Sequence, residues 1–406
     1  MSIRIGLVVT YSLDYCRGIL RGVKRYAEAK PEWMFVPIEP DPDGLRLLQE
    51  VRPAGVIAHL YDRALAAALL QLERPLVNVS GVLDDLPVCR IGPDDLAVGR
   101  MAAAHFLDRG FRSFGFAGHR NHAYSQRREQ GFREGVTAAG WTVRSYHEPE
   151  NLAFRPHGRL WALERALLDW VSHLPKPTAL FACNDQWGLQ LSEVCHQRGL
   201  RMPEDVAILG VQNDDLLCEL ARPSLSIVAV AKEKIGWEAA ALLDRLLAGG
   251  PRPAAPLLIP PTEVVCRRSS DTLAVEDGDV VAAVQFIRQN CQRPLSVDQV
   301  LAVVAVSRRT LERRFQQTLN RGVWQEIRRA HLERAKRLLL NTDLPMAGVA
   351  RRAGFSDQKQ LSVIFKQETR LTPTAFRRLF RADGARADAT SENIAAAADS
   401  HRGSFI

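Results

Sequence analysis

The sequence predicts two architectures in one chain: an α/β portion built as two lobes over residues 1–267, and an all-α portion over residues 280–381 that carries two helix-turn-helix units. Short apolar runs alternate with helical stretches from residue 3 to about 267, which is the pattern of parallel sheets wrapped by helices. A helix-turn-helix pattern then occurs twice between residues 297 and 378. The charge is also divided. Residues 276–381 hold twenty Lys and Arg against ten Asp and Glu, so of the net charge of +8 the remainder of the chain carries −2.

In the α/β portion, strands are expected at 5–9, 55–58, 76–79, 114–118, 179–182 and 206–210, and helices at 20–29, 96–107, 126–139, 160–171, 186–197 and 235–247. That is more strand-helix units than one small nucleotide-binding domain holds, hence two lobes. Gly249, Gly250, Pro251 and Pro253 close the last long helix, and a final strand-like run reaches Cys266. Residues 268–279 are polar and acidic and read as a linker. Beyond Arg381 periodicity is lost, and residues 382–406 read as a disordered tail.

In the all-α portion, each unit has a short apolar helix ending at a small residue, Ala305 or Gly354. Ser307 or Ser356 is then placed to cap a second helix by accepting a backbone N–H bond. That second helix buries Leu311 and Phe315, or Leu361, Ile364 and Phe365, and leaves a polar face suited to a major groove. The repeat is regular, with 49 residues from Ser307 to Ser356 and 50 from Phe315 to Phe365. Between the units, residues 323–340 have helical periodicity and span roughly 27 Å at about 1.5 Å per residue. Two recognition helices held that far apart suit successive major-groove segments, which lie about 34 Å apart on one face of DNA. The basic surplus of this portion suits phosphate neutralisation.

Several classes are disfavoured. Seven scattered cysteines form no C-x-x-C pair, so neither a disulfide framework nor a zinc site is expected. His119 and His122 form an isolated H-x-x-H with no third ligand in view, and no metal is expected there. The apolar run at the N-terminus is too short for a signal segment, no stretch of about 18 apolar residues exists, and a cytoplasmic protein without membrane contact is expected. G-x-S-x-G, a Walker phosphate loop and a G-x-G-x-x-G after the first strand are all missing, so neither an enzyme with catalytic residues nor a cofactor is expected.

Ala330-His331-Leu332-Glu333-Arg334-Ala335 with Leu338-Leu339, then Val349-Ala350, Gly354-Phe355-Ser356, Phe365-Lys366, Thr372-Pro373 and Phe376-Arg377 resemble the AraC/XylS family of transcription regulators over residues 280–379. Ala305 and Arg370 stand where that family commonly has turn glycines. A second resemblance covers residues 3–267. Arg128-Glu129-Gln130-Gly131-Phe132, Phe181-Ala182-Cys183-Asn184-Asp185-Gln186 and the segment from Met202 through Gly210 are similar to the ligand-binding region of LacI/GalR repressors, itself similar to periplasmic sugar-binding proteins. The match starts at the first strand, without that family's N-terminal DNA-binding headpiece.

Together the resemblances imply a periplasmic-binding-protein-like sensor ahead of an AraC-type reader. They imply a homodimer that binds double-stranded DNA, answers a small-molecule effector such as the pentose xylose, activates pentose catabolism genes and engages RNA polymerase. Sugar hydroxyls are held by planar groups at the carboxyl ends of strands facing a cleft. Asp94, Arg128, Asn184 and Asp185 match family positions for this, and Asp94 and Asn184 equally suit helix caps. Gln212 stands where the family's Gly-x-Asp carboxylate is expected, with Asn213 or Asp214 as substitutes. Tyr15, Tyr124 or Trp187 can supply a stacking face, and each also suits the core.

In the reader, Arg309, Thr310, Glu312 and Arg313 project from the first recognition helix, and Gln358, Lys359, Ser362 and Val363 from the second. Arginine suits bidentate contact with guanine, glutamine with adenine, and valine a thymine methyl. Arg308, Arg314, Lys366 and Arg377 read as phosphate contacts or solvated side chains.

Overall fold

The computed structural model describes residues 2–147, 160–275 and 277–380, and within these twelve strands form two six-stranded sheets. The first sheet contains β1 (Ile3–Val8), β2 (Trp33–Ile38), β3 (Gly55–Ala58), β4 (Leu76–Asn78), β5 (Cys89–Pro93) and β11 (Leu257–Ile259). Its order is β11-β5-β4-β3-β1-β2, and every pairing is parallel. The second contains β6 (Ser113–Gly118), β7 (Val143–His147), β8 (Thr178–Ala182), β9 (Val206–Gln212), β10 (Ser226–Ala229) and β12 (Glu263–Val265), in the order β12-β10-β9-β8-β6-β7. Only β12 runs antiparallel to its neighbour, β10. The chain passes between lobes after β5, after β10 and between β11 and β12. Three crossings at one edge make a hinge.

Central strands such as β8 are buried along their whole length, as expected where helices cover both faces of a parallel sheet. On the first lobe, α1 (Asp14–Ala27) packs against α9 (Lys232–Leu247), with α2 (Pro42–Val51) and α3 (Arg63–Leu70) beside them. On the second, α4 (Asp95–Leu107) packs against α5 (Ala123–Ala138), joined by α6 (Leu160–Ser172), α7 (Asp185–Gln197) and the short α8 (Asp215–Leu220). The α4/α5 seam is backbone against backbone. A Cβ at Gly99 would lie 2.1 Å from the Arg128 carbonyl oxygen, so no larger residue fits.

The all-α portion comprises α10 (Gly278–Asn290), α11 (Val297–Leu301), α12 (Arg308–Leu319), α13 (Val323–Asn341), α14 (Met346–Arg352), α15 (Gln358–Thr369) and α16 (Pro373–Phe380). It has two cores. Val284, Ile287, Leu311, Phe315 and Ile327 fill the first. Leu332, Leu339, Val349, Leu361, Phe365 and Phe376 fill the second. Helix α13 serves both, because its apolar stripe is continuous and each unit covers one half of it.

Two expectations are corrected. Ser307 caps α12 as expected, accepting from the Thr310 N–H at 3.3 Å, but the cap of α15 is Asp357, which accepts from the Gln360 N–H at 2.8 Å. Ser356 instead donates to the Asp357 carboxylate. A carboxylate is the better partner for a helix N-terminus, since it meets the positive end of the dipole. The start of the expected linker is also no linker. Ser269 and Ser270 are fully buried, and the Ser269 carbonyl accepts from the Ile208 N–H at 2.8 Å, so this segment is sewn to the second lobe. Arg370, which stands where a turn glycine is common, takes φ +60° at the end of α15, as Asn320 takes +52° at the end of α12. The geometry of the repeat overrides a local cost of about 1–2 kcal/mol.

The expected tail, residues 382–406, lies outside the described residues. Among the described residues no helix is long and apolar enough to cross a membrane, and no group of three or more His, Cys, Asp or Glu is placed to hold a metal ion.

Because α4 and α5 touch at Gly99 without side chains between them, Gly99→Ala is expected to force them apart and to destabilise the sensor by about 3 kcal/mol. The urea midpoint of sensor unfolding measures this; an unchanged midpoint would show that the seam can open freely.

Candidate functional site

The carboxyl ends of both sheets face one cleft, and the loops there carry the polar groups. From the first lobe come Asp14 and Tyr15 after β1, His59 after β3, Asn78 to Gly81 at the end of β4 and Asp94 after β5. From the second come His119 and Tyr124 after β6, Asn184 and Asp185 after β8, and Gln212 to Asp214 at the end of β9. Lys232 follows β10 at a crossing. Two backbone bonds join the lobes across one side of the cleft: the Tyr124 N–H donates to the Gly81 carbonyl at 2.8 Å and the Ala123 N–H to the Val82 carbonyl at 3.0 Å.

At the centre lies an ion pair shielded from water. Arg128 and Asp95 each expose only 2% of their side chains, and Arg128 Nε donates to Asp95 Oδ1 at 2.8 Å. Arg128 Nη1 donates to the Cys183 carbonyl at 2.5 Å, and the guanidinium sits 4.8 Å from the centre of the Tyr124 ring. Charges this deep persist because they are paired; removing either partner strands the other at a cost of about 3–5 kcal/mol. Asn184 adjoins them, accepting from the Trp187 N–H at 2.9 Å while its Nδ2 donates to the Tyr124 hydroxyl at 3.2 Å.

Asp185 is 2% exposed. Its Oδ2 accepts from the Asp214 N–H at 2.7 Å, and its Oδ1 is buried without a protein partner. Burial pushes its carboxyl up to about 7, against the Asp214 N–H and the charge of Lys232. The Asp214 N–H reaches it because Gln212 and Asn213 both take positive φ, +110° and +70°. Left-handed backbone at two consecutive residues costs about 1–3 kcal/mol each, and such strain gathers where a site needs a particular loop shape. The same turn brings the Asn213 carbonyl to Lys232 Nζ at 3.1 Å, and Lys232 also pairs with Asp14 of the first lobe.

The side chains expected at the cleft meet different fates. Arg128, Asn184, Asp185 and Gln212 lie together on the second-lobe side. The Asp94 carboxylate accepts from the Ala97 N–H at 3.0 Å and so caps α4. The Tyr15 hydroxyl donates to the Val79 carbonyl at 2.9 Å within the first-lobe wall. The Asn213 side chain turns away to accept from Arg267 at 2.8 Å, and Asp214 caps α8, so neither supplies the carboxylate that Gln212 lacks. Trp187 Nε1 donates to His119 Nε2 at 3.2 Å, which sets both rings in one wall.

Sequence reasoning missed Asp95, His59, Asp14 and Lys232. Asp95 was visible beside Asp94, but only the structure shows which of the two pairs with Arg128. His59, pushed down to about 4 by burial, has a buried Nδ1 without a protein partner and so is neutral at ordinary pH. Asp14 and Lys232 lie 218 residues apart, and no local pattern joins them.

On the reader, Arg308, Arg309, Arg313, Gln358, Lys359, Val363 and Lys366 are exposed, and Ser362 is half-buried on the same face. Thr310 shares a 2.9 Å hydroxyl bond with Ser307. Glu312 departs from the expected outward face: its Oε2 accepts from the Val323 N–H at 3.1 Å and helps start α13. Arg314 is no open phosphate contact, since it pairs with Asp277 and Asp279 at the start of α10, at 3.3 and 2.5 Å. Arg377 Nε donates to the Leu339 carbonyl at 3.3 Å, so it too is built into the reader.

A two-lobed α/β sensor with a polar cleft, followed by paired helix-turn-helix units on one shared helix, defines a transcription regulator that couples a ligand-binding portion to a DNA-binding one. The comparisons agree on both halves. Residues 103–270 match the periplasmic binding protein-like domain family and residues 300–379 a helix-turn-helix domain family. The xylose operon regulatory protein of Escherichia coli (strain K12) is 30% identical over 382 residues, covering 92% of this chain and 96% of that protein. Its namesake from Haemophilus influenzae is 27% identical and covers 92% and 98%. A solved structure titled as a xylose-binding transcription activator superposes with a TM-score of 0.60 at 29% identity, covering 93% of this chain and 98% of that one. The chain belongs to the xylose operon regulatory protein family.

The carboxyl of Asp185 gives the cleft a pH signature. In the unfolded chain it loses its proton near 3.8, in the folded chain near 7. Between those values the folded state binds more protons, so its stability falls as pH rises and the loss is complete above about 7. Asp185→Asn should flatten that slope, removing a penalty on the order of 4 kcal/mol at most. Urea midpoints from pH 4.5 to 8 compare the two; parallel profiles would mean that Asp185 ionises freely in the fold.

Proposed function

We propose that this protein is a xylose-responsive activator of pentose catabolism genes, with a sensor over residues 1–267 and a DNA reader over residues 280–381. The observation that carries this is the end-to-end likeness to xylose operon regulatory proteins, sensor and reader in the same order over more than nine-tenths of both chains. The cleft is chemically suited to it: Arg128, Asn184 and Asp185 converge at the carboxyl ends of strands. A pentose bound there would favour one lobe arrangement over another and thereby one arrangement of the readers on DNA. Sequence would be read by Arg309, Thr310 and Arg313 of α12 and by Gln358, Lys359, Ser362 and Val363 of α15, with Arg308 and Lys366 on phosphates. We place the protein in the cytoplasm as a homodimer that engages RNA polymerase once bound to its operator.

A second reading keeps the architecture and changes the effector. Gln212 favours it: a neutral amide bonds a hydroxyl without the charge assistance that makes carboxylate contacts roughly twice as strong. A thermal-shift screen of pentoses and hexoses on the full chain separates the two. Xylose at a hundred times its Kd should add about 2.7 kcal/mol of stability. A shift with another sugar and none with xylose would move the assignment to that sugar.

Two substitutions sharpen the test. Asn184→Asp keeps an acceptor for the Trp187 N–H but loses the amide donor and adds a buried carboxylate, so it should lower the melting temperature of the free protein and, measured from that lower baseline, reduce the xylose-induced shift. Arg313→Ala should cost about 1–3 kcal/mol on the operator and much less on random DNA. Equal losses on both DNAs, measured by fluorescence anisotropy at one salt concentration, would remove Arg313 from base reading.

A further inference from the structure

We infer that α4 links the sugar cleft to the DNA reader, and that Asp108, at its carboxyl end, is the residue that passes the state of the cleft to α13. This rests on the reading of the cleft as a sugar site and of the all-α portion as a DNA reader. The two ends of one helix carry the argument. At the amino end, Asp94 is the cap of α4 and Asp95 its first residue, locked to Arg128 in the cleft. Thirteen residues later, about 20 Å along the axis, the helix stops at Asp108.

Asp108 is held by the reader at three atoms. Its Oδ1 accepts from Arg321 Nη1 at 3.4 Å, its backbone carbonyl from Arg321 Nη2 at 2.7 Å, and its Oδ2 from Arg329 Nη1 at 2.7 Å. Both arginines also grip Glu326 of α13, which is 1% exposed: Arg321 Nε donates to Oε2 at 2.6 Å and Arg329 Nη2 to Oε1 at 3.2 Å. Burial alone would raise the Glu326 carboxyl, but Arg329 and Arg321 outweigh it and hold it down to about 2. The cluster is therefore a permanently charged clamp between α4 and α13. Helix α13 in turn supplies Ile327 to one helix-turn-helix core and Leu339 to the other, so its placement sets that of both recognition helices.

The rest of this junction combines apolar packing, with Leu371, Leu379 and Phe380 of the reader against the sensor core, and a polar cleft. Around the clamp lies a cleft of about 480 Å³ between the sensor and the reader, with Arg100, His105, Glu263, Arg288, Glu333 and Arg337 in its walls. The polar, incompletely filled cleft leaves room for the two domains to reorient about the apolar contacts, which resist displacement. Helix α4 itself cannot yield sideways, because Gly99 and Gly131 hold it backbone to backbone against α5. A ligand drawing on the Asp95–Arg128 pair thus acts on one end of a stiff rod whose other end is fastened to the reader.

The test uses the full-length chain and reads operator affinity by fluorescence anisotropy with and without xylose, beside calorimetry of xylose binding to the DNA-free protein. In the native chain, xylose should change operator affinity by about five-fold or more. Asp108→Asn should bring that ratio at least five-fold closer to one, or to one where the native ratio is smaller, while xylose affinity of the DNA-free protein stays within two-fold. A residue that merely stabilises the fold would lower the melting temperature and leave the ratio intact. The double variant of Asp108→Asn with Arg329→Gln should lose no more of the ratio than the stronger single variant, since both remove the Asp108–Arg329 contact that carries the coupling. Should Asp108→Asn not fold, Arg321→Lys, which keeps the charge but loses the two-pronged hold on Asp108, is read the same way. If the native chain responds to xylose and the variants respond equally, this inference fails alone. If the native chain binds xylose but its operator affinity does not change, the inference again fails alone; if calorimetry shows no xylose binding, the reading of the cleft fails and takes the inference with it.

Discussion

The Arg128–Asp95 pair is the contact on which the sensor's geometry turns. A guanidinium and a carboxylate, each about 2% exposed, survive burial only by satisfying each other. Their union ties α5 to the first residue of α4, and the second Arg128 bond ties both to the end of β8 through the Cys183 carbonyl. Tyr124 and Asn184 then take positions relative to Arg128 rather than to any single strand. The pair thus assembles a polar wall from three elements distant in sequence, and it does so where the chain leaves the first lobe for the second.

The reader solves a different problem, that of building two small domains from about a hundred residues. Neither unit has enough apolar side chains to close on itself, and α13 resolves this by lending each one half of its stripe. Arg314, Glu312 and Arg377 are recruited from the polar surface to pin α10, α12, α13 and α16 to one another. What remains exposed on α12 and α15 is a basic and amide-rich face.

Much of this was legible in the sequence because it rests on periodicity. Residues 55–58 read as a strand and are one, and the long helix between the units runs over Val323–Asn341 where residues 323–340 were expected. Among the elements that went unread, β2 is only part-buried and β11 has three residues, so neither carries a clear period. At the cleft, residue type identified Arg128, Asn184 and Asp185, but not the direction of each side chain. Asp94 and Asp95 are adjacent and identical in chemistry, yet one caps a helix and the other is buried in an ion pair, because Asp94 stands in extended backbone just before α4 and Asp95 is its first helical residue. Ser356 and Asp357 both suit a cap by residue type, and only the backbone decides that α15 starts after Asp357. The ties between Asp14 and Lys232, and between Asp108 and the arginines of α13, depend on tertiary placement and leave no local trace.

The sharing of α13 also fixes the phase of the two recognition helices. Inserting one residue near its middle would advance the second unit by about 1.5 Å and swing it by about 100° around the helix axis, taking α15 off the side of the all-α portion on which α12 stands. Only insertions of whole-turn multiples would restore the phase, and five turns would already add about 27 Å. The length of α13 is therefore a ruler within the all-α portion: the separation of its two helix-turn-helix units is written into nineteen residues of helix, and one unit cannot drift without the other.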